Sequence, residues 1–444
     1  MKPTPLNVLA KLLGEKQFSQ NLVHGVAIDS RRVKSGDLFF ALKGERVDGH
    51  DFIHEAASNG ASGAVVEREY SREVALPLLK VNGVLLALQT LARLILEKRA
   101  VKVIGITGSV GKTTTKNFTF SLLSTHYKVA CSPFSYNSQA TVPLSILNTD
   151  ESEEILVLEM GISAPGEMDR LIQMAPPDIA VITSIAIQHA SQFSDGIAGI
   201  AREKGKIFSH SKTKLGFMPH ESAFFHQLQG IGECSKFSFS LTSREADYFL
   251  ERREEEIKVY VKGEPPLHIQ ISLPVAPLFQ NYLAAVAVAR ACDVPWALIQ
   301  KKSQGLRLPP MRFEKIEKNG VIFINDAYNA NPDSMKAALE SLPQPTKGGR
   351  VIAVLGEMTE LGMYSEGGHA QVAEVALSTV DLLLCLGARC EAMQKIWKAK
   401  MRPCELFASP LELEKSLKEH AKPGDVVLLK GARSAELEKL LEKF

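Results

Sequence analysis

The stretch VKVIGITGSVGKTTTKNFTFSLLSTHY, residues 101–127, decides the fold. Its apolar start, VKVIGIT, reads as a buried strand, and its end, KNFTFSLLSTHY, reads as a helix. Between them lies a turn containing Gly108, Gly111, Lys112 and Thr113. In a strand–loop–helix setting, backbone N–H groups and a helix N-terminus face one point and favour an anion. The glycines would let the backbone approach phosphate, Lys112 would reach the β- and γ-phosphates, and Thr113 would ligate Mg²⁺. The strict phosphate-loop rule puts a first glycine at position 106, where this chain has Ile106. Spacing alone therefore leaves an incidental Gly-rich turn open.

Outward from this stretch, ILVLEMG (155–161) and IAVITSI (179–185) repeat the pattern of short apolar runs separated by helical segments. Such runs predict a parallel sheet covered on both faces. The span 237–273 alternates every second residue and predicts antiparallel strands in a small insertion or edge sheet. After Pro309-Pro310, a plausible linker, VIFINDAY, RVIAVLGEM, DLLLCLG and DVVLLKG begin a second doubly wound α/β unit. Before the phosphate loop, residues up to about Val81 hold short mixed elements. The expected architecture is α/β in three domains: a small α/β domain at 1–82, a central P-loop mononucleotide-binding domain at 83–308 with a parallel sheet, and a Rossmann-like domain at 309–444.

The bulk numbers agree with such a chain. It has 444 residues, 45% hydrophobic and 23% charged, with a net charge of +2. That balance argues against nucleic acid or an anionic membrane as partner. The N-terminal stretch has neither the length of a membrane span nor a small-residue cleavage site, so no signal peptide is expected. Six cysteines without a CxxC pair argue against a metal cluster or disulfide framework and fit a reducing cytoplasm.

Several residues stand at positions suited to chemistry. Glu159 ends a strand beside the phosphate loop, a natural Mg²⁺ partner or a solvated strand-end acid. His189 follows the third strand; a lone histidine is more often structural than a ligand. Lys204 is one lysine among many, and pattern gives no reason to select it. The 325–332 segment, with Asp326, Tyr328, Asn329, Asn331 and Pro332, reads as a capped strand–helix loop that could also face a ligand.

Taken together, these pieces resemble the Mur ligase family of peptidoglycan synthesis. DSRRVKSGDLFFALKGERVDGHDFI (29–53) is similar to a UDP-sugar-binding segment of that family. GITGSVGKTTTK (105–116) resembles its short loop, GxxGK[ST], in which no glycine is expected at 106. NDAYNANPDSMKAAL, VLGEMTELG and DVVLLKGARS resemble the third domain of the member that adds D-alanyl-D-alanine to a UDP-N-acetylmuramoyl-tripeptide. The DNPR-type motif usual in the enzyme that adds the third amino acid is not found.

The resemblance implies roles. ATP would be held by Gly108, Ser109, Val110, Gly111, Lys112, Thr113 and Thr114, with Asn281 on the adenine and Arg312, Asp326 and Asn329 closing from the third domain. Glu159, His189, Thr113 and a carbamylated Lys204 would hold two Mg²⁺ ions. Lys112, Lys204, His189 and Glu159 would form the catalytic set. Asp29, Ser30, Arg31, Lys43, Gly44 and Asn137 would meet the UDP substrate, and Asn331 the dipeptide. The expected reaction passes through an acyl phosphate, in a cytoplasmic monomer. Rival readings are a folylpolyglutamate- or cyanophycin-type ligase, the third-residue-adding ligase, and a non-catalytic nucleotide-binding relative. Ser138, Gln139, Gln188, Lys206 and Gln280 depart from the family pattern.

Overall fold

A computed structural model describes residues 2–444 except 16–18, 45–46, 189, 254–255 and 347. The residue 101–127 stretch forms the strand Lys102–Thr107 and the helix Lys112–Leu123. That strand lies inside a nine-stranded sheet. Its neighbours are the parallel strands Ile155–Glu159 and Ile179–Ile182, and Val129–Cys131 lies beyond Ile155–Glu159. Val129–Cys131 and Ile155–Glu159 lie on one side of it and the next strand in sequence, Ile179–Ile182, on the other, so the strand order reverses at Lys102–Thr107. In open parallel sheets, ligands collect at the carboxyl ends at such a reversal. These strands are buried along nearly their whole length, which is why they read as unbroken apolar runs.

The alternating span 237–273 joins this same sheet rather than forming a separate one. Its first strand, Ser235–Ser240, pairs in parallel with Leu215–Pro219 and Tyr248–Arg253. Only Tyr248–Arg253, Glu256–Val261 and Leu267–Ile269 make the expected antiparallel meander, at the sheet edge. The long Ala-rich helix Ala276–Ala291 packs on the phosphate-loop helix; its small buried side chains allow that close approach.

On the N-terminal side is a four-stranded parallel sheet, Gly25–Ala27, Asp37–Phe40, Gly63–Glu67 and Leu78–Val81. It is pinned to the central unit by Asn148, whose Oδ1 accepts from Val26 N at 2.9 Å while its Nδ2 donates to Val26 O at 2.9 Å. The helix Val84–Leu96 follows.

The C-terminal sheet has six strands. The four apolar runs read from the sequence are Val321–Asn325, Val351–Gly356, Leu382–Leu386 and Val426–Lys430, all mutually parallel. Glu314–Lys318 adds antiparallel at one edge and Cys404–Phe407 parallel at the other. Val321–Asn325 and Val426–Lys430 lie side by side, so Asp326 and Lys430 emerge together at their carboxyl ends.

Candidate active site

The phosphate loop leaves its strand and is strapped to the 183–186 segment. Ser109 N donates to Ser184 O at 2.9 Å, Val110 N to Ser184 Oγ at 2.9 Å, and Ser109 Oγ to Ala186 O at 2.8 Å. Gly108 at φ +146° leaves no room for a side chain: a Cβ there would lie 2.0 Å from Thr183 Oγ1. At Gly111, φ is +89° and a Cβ would lie 2.2 Å from Asn281 Oδ1. Both glycines are thus required by close approach as well as by backbone conformation. Asn281 sits on the loop because its helix packs along the phosphate-loop helix.

The helix Lys112–Leu123 carries no side-chain cap. Its first-turn N–H groups have no intrahelical acceptors, and they open onto a cavity of about 1180 Å³. An anion fits there. Lys112 Nζ meanwhile folds back onto Gly108 O at 2.8 Å and Ser109 O at 3.3 Å. Burial pushes this ammonium below the usual lysine range, against the pull of Glu159.

Lys204 arrives from the helix Gly196–Gly205 and is 2% exposed. Its Nζ donates to the same Gly108 O at 3.1 Å. Burial, and then the neighbouring Lys112, hold its ammonium well below the ordinary range despite Glu203. Glu159, 1% exposed, ends its strand with both oxygens engaged: Oε2 accepts from Thr113 Oγ1 at 2.9 Å and Oε1 from Asn137 Nδ2 at 2.8 Å. Ser135 Oγ lies 3.0 Å from Thr113 Oγ1. This hard-oxygen set suits Mg²⁺ in kind. Gln188 Oε1, buried and without a hydrogen-bond partner among the described residues, borders the same cavity. His189 lies outside the described residues, and among those described no cluster of three His, Cys, Asp or Glu side chains forms.

The C-terminal unit closes the cavity. Arg312, Asp326, Tyr328, Asn329 and Asn331 line it with the phosphate loop, Glu159 and Asn281. The Arg312 guanidinium lies over the Tyr328 ring, 4.2 Å from its centroid. Asp326 Oδ1 accepts from Phe313 N at 3.1 Å. Asn329 Oδ1 accepts from Ala330 N at 2.9 Å. Asn331 caps the helix Pro332–Glu340, accepting from Ser334 N at 2.8 Å in a capping box. Its side-chain oxygen is therefore committed to the helix while the residue still borders the cavity.

The expected UDP residues fall elsewhere. Asp29 lines a second cavity of about 380 Å³ between the N-terminal sheet and the central unit, with Arg32, Lys34, Tyr136 and Asn148. Arg31 turns to Asp29, 2.8 Å between Nη2 and Oδ2, and that pairing keeps the Asp29 carboxyl below its usual range. Ser30 Oγ donates to Glu55 Oε2 at 2.5 Å. Lys43 forms an isolated bridge with Asp48, and Gly44 N donates to Val47 O at 2.9 Å. Asn137 stands apart from these, on Glu159 in the main cavity.

Two buried lysines escaped the sequence reading. Lys116, 1% exposed, donates to Ser132 O at 2.6 Å and to Phe134 O, holding the loop that carries Ser135 and Asn137. Lys430 donates to Asp326 Oδ2 at 2.5 Å. A lysine ending a wholly apolar strand was the available signal for the second.

Three family models match the chain: the Mur ligase family catalytic domain over residues 22–99, the Mur ligase middle domain over 106–289, and the Mur ligase glutamate ligase domain over 311–433. The chain is 33% identical to the UDP-N-acetylmuramoyl-tripeptide–D-alanyl-D-alanine ligase of Bacillus subtilis, over 97% of this chain and 95% of that protein. Its fold matches a crystal structure of MurF from Acinetobacter baumannii with TM-score 0.86 and 27% identity, covering 100% and 99% of the two chains. It also matches MurF ligase from Thermotoga maritima in complex with ADP, with TM-score 0.79 and 30% identity, covering 95% and 97%. Full-length likeness, three family domains in order and a phosphate loop closed by the third domain lead to one conclusion: the chain belongs to the Mur ligase family.

Proposed function

We infer that this chain is an ATP-dependent, ADP-forming ligase that joins D-alanyl-D-alanine to UDP-N-acetylmuramoyl-tripeptide for peptidoglycan precursor synthesis. The observation that carries the reading is the single cavity in which the phosphate loop, Glu159 and Asn281 meet Arg312, Asp326 and Asn329 of the C-terminal unit. Full-length relatives bearing that ligase's name support the choice of substrates.

Amide formation from a carboxylate is uphill in water, so the acid is first activated. ATP transfers its γ-phosphoryl group to the terminal carboxylate of the tripeptide, giving an acyl phosphate and ADP. Lys112 leaves Gly108 O for the transferring phosphoryl group and offsets its charge, and the first-turn amides receive the phosphate oxygens. The dipeptide amine then attacks the acyl carbon, and the tetrahedral intermediate expels phosphate. Positioning by closure of the C-terminal unit supplies much of the rate. Mg²⁺, held by Thr113, Glu159 and His189, would neutralise charge on the phosphates. Asp29, Ser30, Arg31, Lys43, Gly44 and Asn137 would receive the UDP substrate, and Asn331 the dipeptide, across units bounded at 1–82, 83–308 and 309–444. The reading places the chain in the cytoplasm as a monomer; all six cysteines are free, and no helix among the described residues is long and apolar enough to cross a membrane.

Lys204 enters as a carbamate. Its neutral amine attacks CO₂, loses one proton and becomes an N-carboxylate, whose oxygens would be available to hold a second Mg²⁺. The depressed ammonium supplies the neutral amine this needs. Lys204→Ala should lose most activity and regain part of it with a short added carboxylate; full activity in the plain variant excludes the carbamate. The whole reading is tested by phosphate release that requires ATP, UDP-tripeptide and D-alanyl-D-alanine together. ATP hydrolysis indifferent to both peptide substrates sinks it.

A further inference from the structure

Lys430 is the last residue of Val426–Lys430, a strand buried throughout, and is itself 2% exposed. Its Nζ meets Asp326 Oδ2 at 2.5 Å and Asn329 O at 3.2 Å, and it borders the main cavity. The other oxygen of Asp326 holds Phe313 N, immediately after Arg312. One ammonium is thus joined through one carboxylate to the segment that carries Arg312 and through one carbonyl to the 326–331 loop.

That segment needs holding. Met311 has φ +56° and Phe313 φ +53°, so Arg312 stands between two non-glycine residues in the left-handed region. Such a conformation persists only where its surroundings over-determine it. Two hydrogen bonds do so: Met311 N to Glu314 Oε2 at 3.1 Å and Phe313 N to Asp326 Oδ1. The Asp326 carboxylate is 14% exposed, and a carboxylate so placed is costly without a counter-charge, which favours another cation within reach. Arg312 directly precedes Phe313, whose N–H that carboxylate holds, lines the same cavity as Asp326 and Lys430, and at present rests on Tyr328.

We propose that Lys430 is a positioning residue for the nucleotide. By neutralising Asp326 it keeps Arg312 off that carboxylate, lying over Tyr328 and free to meet ATP phosphate. The inference rests on the reading of the cavity as an ATP site.

The test uses the full chain and measures kcat, the KM for ATP and the KM for UDP-tripeptide in Lys430→Met, Lys430→Arg and the double variant Lys430→Met/Asp326→Asn. Lys430→Met should raise the KM for ATP by at least about tenfold, with the KM for UDP-tripeptide within about twofold. Lys430→Arg keeps the charge and should hold the ATP KM within about threefold. The double variant has no carboxylate left to capture Arg312, so its ATP KM should fall back below that of Lys430→Met. If Lys430→Met fails to fold, the double variant should fold, because the unpaired carboxylate is gone. The proposal is overturned by an unchanged ATP KM in Lys430→Met, by an equal rise in both KM values, or by a double variant no better than the single. Wild-type protein that ATP does not saturate refutes the nucleotide reading itself and takes this inference with it.

Discussion

Lys204→Met should make the ligand-free protein more stable while removing its activity. Lys204 and Lys112 both donate to Gly108 O, at 3.1 and 2.8 Å, so their nitrogens lie no more than about 6 Å apart. Two unit charges at that distance repel by roughly 3 kcal/mol at an effective dielectric near 20. Burying the Lys204 ammonium adds a desolvation penalty. Against these stands one hydrogen bond to a carbonyl, about 1.5–3 kcal/mol, and Gly108 O keeps Lys112 as donor after the change. The net gain expected from methionine is about 1–3 kcal/mol, the usual outcome when a strained buried charge is replaced by an apolar side chain of similar length. The sign with pH follows from the depressed ammonium. Between the folded pKa and the unfolded value near 10.5, the unfolded chain binds the extra proton, so wild-type stability rises with pH across that window. The advantage of Lys204→Met should therefore be largest below the window and vanish above about pH 10.5. Denaturant melts of both proteins across pH, in CO₂-free buffer without nucleotide, measure it. A variant less stable than wild type by an amount independent of pH would refute the argument.

Gly111→Ala should lower nucleotide affinity at least about tenfold, because its Cβ would displace Asn281 as well as strain the backbone. Gly166→Ala, at φ +80° with nothing within 4 Å, carries the strain alone and should bind nucleotide normally; equal effects in titrations of both would undo the reading of Gly111. Lys206→Glu should cost about 1 kcal/mol in a thermal melt, since Lys206 Nζ lies 2.6 Å from Asp169 Oδ2 and 2.8 Å from Glu203 Oε2. Its Mg²⁺ dependence of activity should stay that of wild type; a shifted dependence would place Lys206 at the metals. Asn148→Leu orphans Val26 N and O at about 2 kcal/mol, and should raise the KM for UDP-tripeptide but not for ATP. Equal rises in both would contradict a docking role confined to the N-terminal unit.

Much of the fold was legible because a strand buried on both faces must be apolar at every position. VKVIGIT, ILVLEMG, IAVITSI and the four C-terminal runs all form parallel strands. The edges were not legible for the same reason in reverse. Glu314–Lys318 alternates with charge because one face meets water, and Cys404–Phe407 is four half-buried residues. In 237–273 the alternation described side-chain exposure truthfully but could not reveal that its first strand runs parallel to its neighbours, since direction is set by connections and not by period. Within the site, the phosphate loop announced itself through glycines. Lys204 did not, because its burial comes from tertiary packing: Gly205, next to it, would place a Cβ 2.4 Å from Ile231. A helix that close to its neighbours leaves its lysine no route to water.

The departures from the family pattern are best understood by where their hydrogen bonds go. Gln139 Nε2 donates to Glu167 O at 3.0 Å, and Gln89 Nε2 donates to Gln139 O at 2.9 Å, tying the helix Val84–Leu96 to the loop after Asn137. Ser138 Oγ shares a hydrogen bond with Thr141 at 2.9 Å, within its own turn. Lys206 points to Asp169 and Glu203, whereas Lys204 reaches Gly108 O. Each of these replacements finds partners in its own surroundings, and Glu159 keeps Thr113 and Asn137. Gln188 is different: its Oε1 is a buried acceptor without a described donor, beside the cavity. An unpaired buried acceptor is costly, so of these four positions it is the one whose energetics a bound donor or cation would alter most. Substituting Gln188 should therefore shift ligand affinity, whereas substituting Ser138 or Lys206 should shift stability alone.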